Sequence, residues 1–248
     1  MASGKSPMMS NEEMLASKVE AYNALAGSLG GVDCNLCQNK GFVAAVRDGA
    51  IVMRECSCMG KRRSLKRIRE SGLMGLLDRY TFDAFQTPEP WQKQAKERAM
   101  DFAANGWGRW FVVTGTPGTG KTHLCTAIAG AMLEAGREVR DMLWRNEAPR
   151  LKAIVNDREE YEREIRQLKE ADVLYIDDFF KGSVSDADIN LAFELLNDRY
   201  NDNERMTILS SEKTVEDLLD IDEAIGSRIY ERSKGYCIKA PNQNWRLK

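Results

Sequence analysis

Two groups of residues in this 248-residue chain have the types and spacing to do chemistry. The first is Gly115-Thr116-Pro117-Gly118-Thr119-Gly120-Lys121-Thr122, which fits the phosphate-binding pattern G-x-x-x-x-G-K-[ST]. Its glycines let backbone N–H groups turn inward against phosphate oxygens. Lys121 brings a positive charge to the β and γ phosphates of ATP, Thr122 offers a hydroxyl to Mg2+, and a helix beginning there points its positive end at the triphosphate. A matching acidic element follows: Val173-Leu174-Tyr175-Ile176-Asp177-Asp178 reads as a buried strand ending in two carboxylates. Asp177 is suited to hold Mg2+ through water, and Asp178 to polarise the attacking water.

The second group is Cys34-x-x-Cys37 and Cys56-x-Cys58. Between them lie two extended runs, Phe42–Arg47 and Ala50–Glu55, joined by Asp48-Gly49, a two-residue hairpin signal. The hairpin brings the pairs together, and four thiolates can surround Zn2+ tetrahedrally with no position open to substrate. The alternative is free thiols on a β-hairpin. A ribbon this small has little core, so metal would be part of its folding energy. The single histidine, His123, excludes multi-His metal sites and triads built on a second His. Cys125 and Cys237 lie inside apolar elements and read as small buried side chains.

These groups need elements to hold them. Residues 1–10 read as disordered, and Gly4-Lys5-Ser6 there lacks the strand and glycine of a phosphate loop. Residues 11–29 read as a helix capped by Asn11, with a stripe of Leu15, Val19, Tyr22, Leu25 and Leu29, ended by Gly30-Gly31. Residues 59–80 carry seven Lys or Arg against two acids, on one or two amphipathic helices. After Pro88 and Pro90 a helix runs from Trp91 to about Asn105. Then Trp110–Thr114 predicts a strand, Thr122–Ala135 a helix, Val139–Trp144 a weaker strand and 146–170 helical structure, with Glu159–Arg163 and Glu162–Arg166 pairs. Val173–Ile176 predicts a strand, and a helix starts at about Asp186. The rest reads as strand Thr207–Ser210, helices Thr214–Leu219 and Ala224–Ser233, and strand Tyr236–Ala240. Strands alternating with helices imply an α/β fold, a parallel sheet with helices on both faces.

Composition sets outer limits. Hydrophobic residues make up 43% and charged residues 30%, enough for a globular core. Lys plus Arg is 36 against 38 Asp plus Glu, so a uniformly basic nucleic-acid binder is excluded but a local basic patch is not. No apolar run is long enough for a membrane span, and the N-terminus lacks a signal core, so a cytoplasmic chain is expected. Lys61, Arg62, Arg63, Lys66, Arg67 and Arg69 form the clearest basic run. It suits DNA contact, a solvated helix face or a partner surface. Trp91, Trp107, Trp110 and Trp144 could stack on bases or pack in the core.

Gly118 to Leu124, with His123 directly after Thr122, resembles the DnaC/DnaI-type helicase loaders and the IstB-type transposition helpers, AAA+ ATPases related to replication initiators. Tyr80-Thr81-Phe82-Asp83-Ala84-Phe85 is similar to that family's segment near the adenine, and Val173–Phe179 to its Walker B strand. Thr207 to Glu212 falls where its sensor 1 strand ends, and Gly226-Ser227-Arg228-Ile229 resembles its arginine-finger box. The likeness covers roughly residues 72–248.

The resemblance implies an AAA+ P-loop core over 81–248, binding ATP and Mg2+ through residues 115–122, His123 and Asp177. It puts Ser211 or Glu212 in the sensor 1 place. Arg228 would act on a neighbouring subunit, with Arg232 as the alternative finger. The chain ends at Lys248 with no room for a helical lid, so Arg246 is only a candidate sensor 2. Arg145, Arg150 and Lys152 fall where initiator-type relatives insert a helix facing DNA. Residues 1–80 form a helix, a zinc-ribbon-like module and a basic linker, as in DnaI-like and phage-type loaders, where the module grips the hexameric replicative helicase. The implied activity is ATP-dependent loading of that helicase onto single-stranded DNA, with slow hydrolysis and self-association into a ring or spiral on the helicase. The alternatives are an IstB-type helper that binds DNA and a transposase, and a small-molecule kinase. Asp178 and Arg228 speak against the kinase.

Overall fold

A computed structural model describes residues 10–71, 74–241 and 243–245; the readings made for residues 1–9 and for Arg246 lie outside them. The chain divides into two compact units, Met1–Arg63 and Ser64–Lys248.

In the first unit, helix α1 (Asn11–Ala24) is capped by Ser10 rather than Asn11. The Ser10 hydroxyl accepts the Glu13 N–H at 3.2 Å, and the Glu13 carboxylate accepts the Ser10 N–H at 2.7 Å. The helix also stops at Ala24, short of the expected Leu29. The reason is close approach: a Cβ on Gly27 would sit 2.3 Å from the Asn39 carbonyl oxygen, and the Gly27 N–H donates to Gln38. The chain must leave the helix to lie against the cysteine turn. No residue of α1 is buried, so its apolar stripe is not a core. Polar bonds fix it instead: the Asn23 side chain both donates to and accepts from the backbone of Ala44, each at 2.9 Å. Strands β1 (Phe42–Arg47) and β2 (Ala50–Glu55) pair antiparallel from Phe42↔Glu55 to Arg47↔Ala50. Asp48 and Gly49 take φ of 50° and 72°, as a type I′ turn requires.

Helix α2 (Cys58–Ser71) contains the boundary between the units. Ser64 and Ile68, from the basic stretch, pack with the second unit: the Ser64 hydroxyl accepts the Val139 N–H at 2.9 Å, and Ile68 is fully buried. The second unit continues through α3 (Met74–Leu77), α4 (Pro90–Asn105), β3 (Trp110–Thr114), α5 (Lys121–Glu134), β4 (Val139–Leu143), α6 (Trp144–Ala153) and α7 (Arg158–Glu170). There follow β5 (Val173–Phe179), α8 (Asp186–Tyr200), β6 (Met206–Ser211), α9 (Val215–Ile221), α10 (Glu223–Arg232) and β7 (Cys237–Lys239). The five strands lie in the order β4-β5-β6-β3-β7, every pair parallel. Alternate side chains enter two cores. Trp110, Val112, Leu174, Ile176 and Leu209 pack with α6, α8 and α10, whereas Phe111, Val113, Val173, Tyr175 and Ile208 pack with α4 and α5. The sheet is therefore buried on both faces, which explains its near-continuous apolar strands.

The helical stretch expected over 146–170 consists of two helices, α6 and α7. The Asp157 carboxylate accepts the Glu160 N–H at 3.1 Å and starts α7 afresh. That start gives Glu162 to Arg158 at 2.8 Å and Glu160 to Arg163 at 3.7 Å, in place of the predicted pairs. Cys125 is buried and Cys237 partly so. Trp110 and Trp144 are core residues, while Trp107 is exposed under the Arg137 guanidinium, 3.9 Å from its ring centre.

The least expected core residue is Arg199, fully buried. Its guanidinium donates to the carbonyls of Leu168 (3.1 Å), Lys169 (2.9 Å), Ala171 (2.8 Å) and Met206, and to the Thr207 hydroxyl at 3.0 Å. It thus caps the C-terminal end of α7, whose last carbonyls have no partner in the helix. Burial pulls its pKa down to about 9, which still leaves it charged at neutral pH. Arg199→Leu should lower unfolding free energy by on the order of 3 kcal/mol or more, because the carbonyls stay buried without donors. Arg199→Lys should recover only part, having fewer donors; chemical denaturation of the three proteins checks this.

Candidate functional site

The phosphate loop leaves the carboxyl end of β3 and enters α5, where ligands of open parallel sheets bind. Gly115, Gly118 and Gly120 take φ of 145°, 81° and 89°. At Gly118 the fit is also steric: a Cβ would fall 1.9 Å from the Asn244 side-chain oxygen, and the Trp245 N–H donates to the Gly118 carbonyl at 3.1 Å. Lys121 Nζ is held over the loop by the carbonyls of Gly115 (2.7 Å) and Thr116 (2.9 Å). The Thr119 hydroxyl closes the turn onto the Thr116 carbonyl at 3.0 Å. Burial lowers the Lys121 pKa, an electrostatic deficit that phosphate charge would relieve.

The acids come next. Tyr175 and Ile208 share the α5 face of the sheet, so Asp177 and Ser210, two residues further along each strand, share it too. Asp177 accepts from Thr122 Oγ1 at 3.3 Å to both carboxylate oxygens, and from the Ser210 hydroxyl. Burial raises its pKa, opposed by the Ser210 and Thr122 hydrogen bonds. Thr122 and Asp177 thus bring a hydroxyl and a carboxylate together, hard oxygen donors suited to Mg2+. Ser211, expected at the nucleotide, points to the opposite face: it donates to the Phe179 carbonyl at 2.7 Å and accepts the Lys213 N–H at 3.0 Å. Ser210 takes the place beside the acids, and strand parity was the signal for it. Glu212 does line the cleft, as does Lys181, which the motifs did not mark. Lys181 Nζ bridges Asp178 and Glu212, 3.0 Å from each.

At the other end of the cleft, His123 stacks on Tyr80 (ring centres 4.7 Å apart) and meets Phe85 edge-on at 5.0 Å. Its Nε2 lies 2.8 Å from the Thr81 carbonyl. Burial lowers its pKa, opposed by the Thr81 hydrogen bond. Pro117, Gly118, Lys121 and Thr122 line the same cleft as Tyr80 and His123. It therefore offers a flat aromatic surface at one end and cation, hydroxyl and carboxylates at the other.

Arg228 does not line this cleft. Its guanidinium donates to the Ala224 carbonyl at 2.7 Å and lies 5.1 and 5.4 Å from the rings of Phe193 and Tyr200. Arg232 is tied to the carbonyls of Gly108 and Asp202 and to the Asn203 side chain. Of the basic residues considered for DNA, Arg150 pairs with Glu147 and Glu164, and Lys152 with Asp188. Arg62 and Arg63 bond within the first unit, to Asn39 at 2.9 Å and to Glu55. The side chains of Arg67 and Arg69 lie outside the described residues.

The cysteine unit gathers its sulfurs as the spacing predicted. Cys34 and Cys56 Sγ are 3.7 Å apart, Cys37 and Cys58 Sγ 3.6 Å, and all four lie within 4.8 Å of one another. Zn–S bonds of about 2.3 Å in a tetrahedron put sulfurs about 3.8 Å apart, so the cluster could hold zinc. The Gly41 N–H points at Cys37 Sγ, 3.3 Å away. Burial pushes the Cys58 thiol up to about 12, with the neighbouring cysteine sulfurs adding to it. Cys37 falls to about 6 despite burial, through the Gly41 N–H and the same sulfurs.

Comparison with known proteins fits this geometry. The pattern of the IstB-like ATP-binding protein family matches residues 37–247. The phage-like element PBSX protein XkdC of Bacillus subtilis (strain 168) is 30% identical over 219 residues, covering 83% of this chain and 81% of that protein. An insertion sequence IS21 putative ATP-binding protein of Pseudomonas aeruginosa is 34% identical over 124 residues, 49% of this chain and 45% of that protein. Among solved structures, the DnaC helicase loader superposes with a TM-score of 0.57 at 23% identity, over 65% of this chain and 96% of that one. At that identity the likeness is one of fold alone: a parallel sheet covered by helices, with the phosphate loop between a strand and a helix.

The two serines can be told apart. Ser210→Ala removes a donor to Asp177 and the acceptor of the Asp178 N–H. It should weaken Mg2+-dependent nucleotide binding by roughly ten-fold, one to two hydrogen bonds' worth. Ser211→Ala should lower the melting temperature while leaving the Mg2+ dependence intact. Nucleotide titrations with and without Mg2+, beside thermal melts, check both.

Proposed function

This chain belongs to the family of IstB-like ATP-binding proteins, and on that premise we propose that it is an ATP-switched loader of a replicative DNA helicase. The observation that carries this reading is the joining, in one chain, of a four-cysteine unit to a core of the ATP-binding family with the fold of the DnaC helicase loader. In this reading residues 1–80 grip the hexameric helicase and residues 81–248 bind and hydrolyse ATP. Zn2+ sits on Cys34, Cys37, Cys56 and Cys58, and Mg2+ on Thr122 and Asp177. Asp178 takes up the proton of the attacking water, and the loader delivers the helicase to single-stranded DNA in the cytoplasm. A second reading, an IS21-type helper that binds DNA and a transposase, is favoured by the identity to the IS21 protein.

Capture by a purified replicative helicase separates the two. The loader should be retained in an ATP-dependent way and carry about one zinc per chain. Cys37→Ser should abolish both zinc and capture while leaving nucleotide binding near wild type, since the ribbon holds no nucleotide residue. Retention on duplex DNA with a transposase and none on helicase would establish the second reading instead.

Arg228 is the arginine finger in this proposal, supplied to a neighbour's site in a ring or spiral. Arg232 is a weaker candidate, because its guanidinium is already bonded to two carbonyls and Asn203. Arg228→Ala should bind ATP normally yet lose turnover by about a hundred-fold or more on helicase and single-stranded DNA. Mixing in Lys121→Ala, which keeps an intact finger, should restore part of it. Wild-type turnover by Arg228→Ala under those conditions excludes the assignment.

A further inference from the structure

Lys181 belongs to none of the phosphate-site motifs, yet it stands among their residues. It lines the cleft with Lys121, Thr122, Asp178 and Glu212. Its placement is built into the backbone. Asp178 and Phe180 both take positive φ, 56° and 54°, and the register of β5 against β6 shifts between Ile176 and Phe179. A left-handed conformation is tolerable for Asp and costly for Phe. Burial offsets that cost. Phe179 and Phe180 stack at 4.1 Å and both meet Trp144 edge-on, at 4.9 and 5.3 Å. The resulting turn is closed by the Lys181 N–H on the Asp178 carbonyl at 3.1 Å. It returns Lys181 Nζ to the Asp178 carboxylate at 3.0 Å and carries it to Glu212 at 3.0 Å.

Two acids beside a triphosphate would repel it, and Lys181 is the cation that offsets them. An ammonium has three N–H donors; the bonds to Asp178 and Glu212 use two. We propose that Lys181 fixes the Asp178 carboxylate and gives its third N–H to the terminal phosphate, so that this residue makes the site discriminate ATP from ADP. The inference rests on the nucleotide-binding reading above and assigns the discrimination to the residue's own subunit, apart from Arg228.

Fluorescence titration of the full chain with ADP and with a non-hydrolysable ATP analogue, each with Mg2+, tests it. Lys181→Gln should lose about ten-fold or more in affinity for the ATP analogue, the worth of one charge-assisted hydrogen bond. Its affinity for ADP should stay at the wild-type value. Lys181→Arg, which keeps charge and donors, should preserve the wild-type preference. Adding Glu212→Gln to Lys181→Gln removes the unpaired acid and should restore part of the loss. An unchanged preference in Lys181→Gln, or an equal loss for both nucleotides, overturns the proposal. Should Lys181→Gln fail to fold, the double variant carries the test, and a preference equal to that of Glu212→Gln alone overturns it. Wild type that binds neither nucleotide, and so behaves as Lys121→Ala, refutes the nucleotide-binding reading and the proposal with it.

Discussion

A carboxylate half-buried at the end of an inner strand must be given donors, and the arrangement of the core follows from how Asp177 obtains them. One donor, Thr122, opens the helix after β3; another, Ser210, sits on β6. Ser210 reaches it because β6 lies beside β5, and Thr122 reaches it from across β6 at the start of the helix that follows β3. Strand order, the length of the phosphate loop and the parity of β6 are thus tied to one anion. A metal ion meeting that carboxylate and the Thr122 hydroxyl would be held by elements that the two cores already make rigid.

The two units are stabilised by different means. The core has a covered sheet with two apolar clusters. The first unit has instead a helix without a buried residue and a three-cysteine cluster with Cys34, Val43 and Met59 packed against it. Its order comes from directed bonds, such as Asn23 on Ala44 and Lys40 on the Asn23 carbonyl at 3.1 Å. Directed bonds without an apolar core give little stability in water, so a bound metal is the natural complement to such a unit.

Much of this was legible in the sequence, because the signals were local. The phosphate loop, the Asp-Gly turn, the cysteine pairs and the strand at Trp110–Thr114 each declare themselves within a few residues. What failed depended on distant partners. Helix α1 ends early because Gly27 meets Asn39, a contact no periodicity encodes. Ser211 was placed by motif position where the alternation of Met206, Ile208 and Ser210 favoured its neighbour. Lys181 was invisible because its partners are set by a bulged strand and two left-handed residues. Nothing near Arg199 in the sequence marks it as buried, because the carbonyls it serves at the end of α7 lie 28 to 31 residues away.

That arginine also bears on the order in which the chain can assemble. The carbonyls it caps at the end of α7 precede it by 28 to 31 residues. Most helices end on a signal within a residue or two, so they can form as soon as they are made. Here the terminus of α7 stays solvated until α8 has docked and β6 has brought Met206 and Thr207 to the same guanidinium. Ribosomal synthesis therefore exposes α7 and β5 before their stop is available. Closing that loop sets a non-local step in folding, one whose entropy must be met before the bonds reward it.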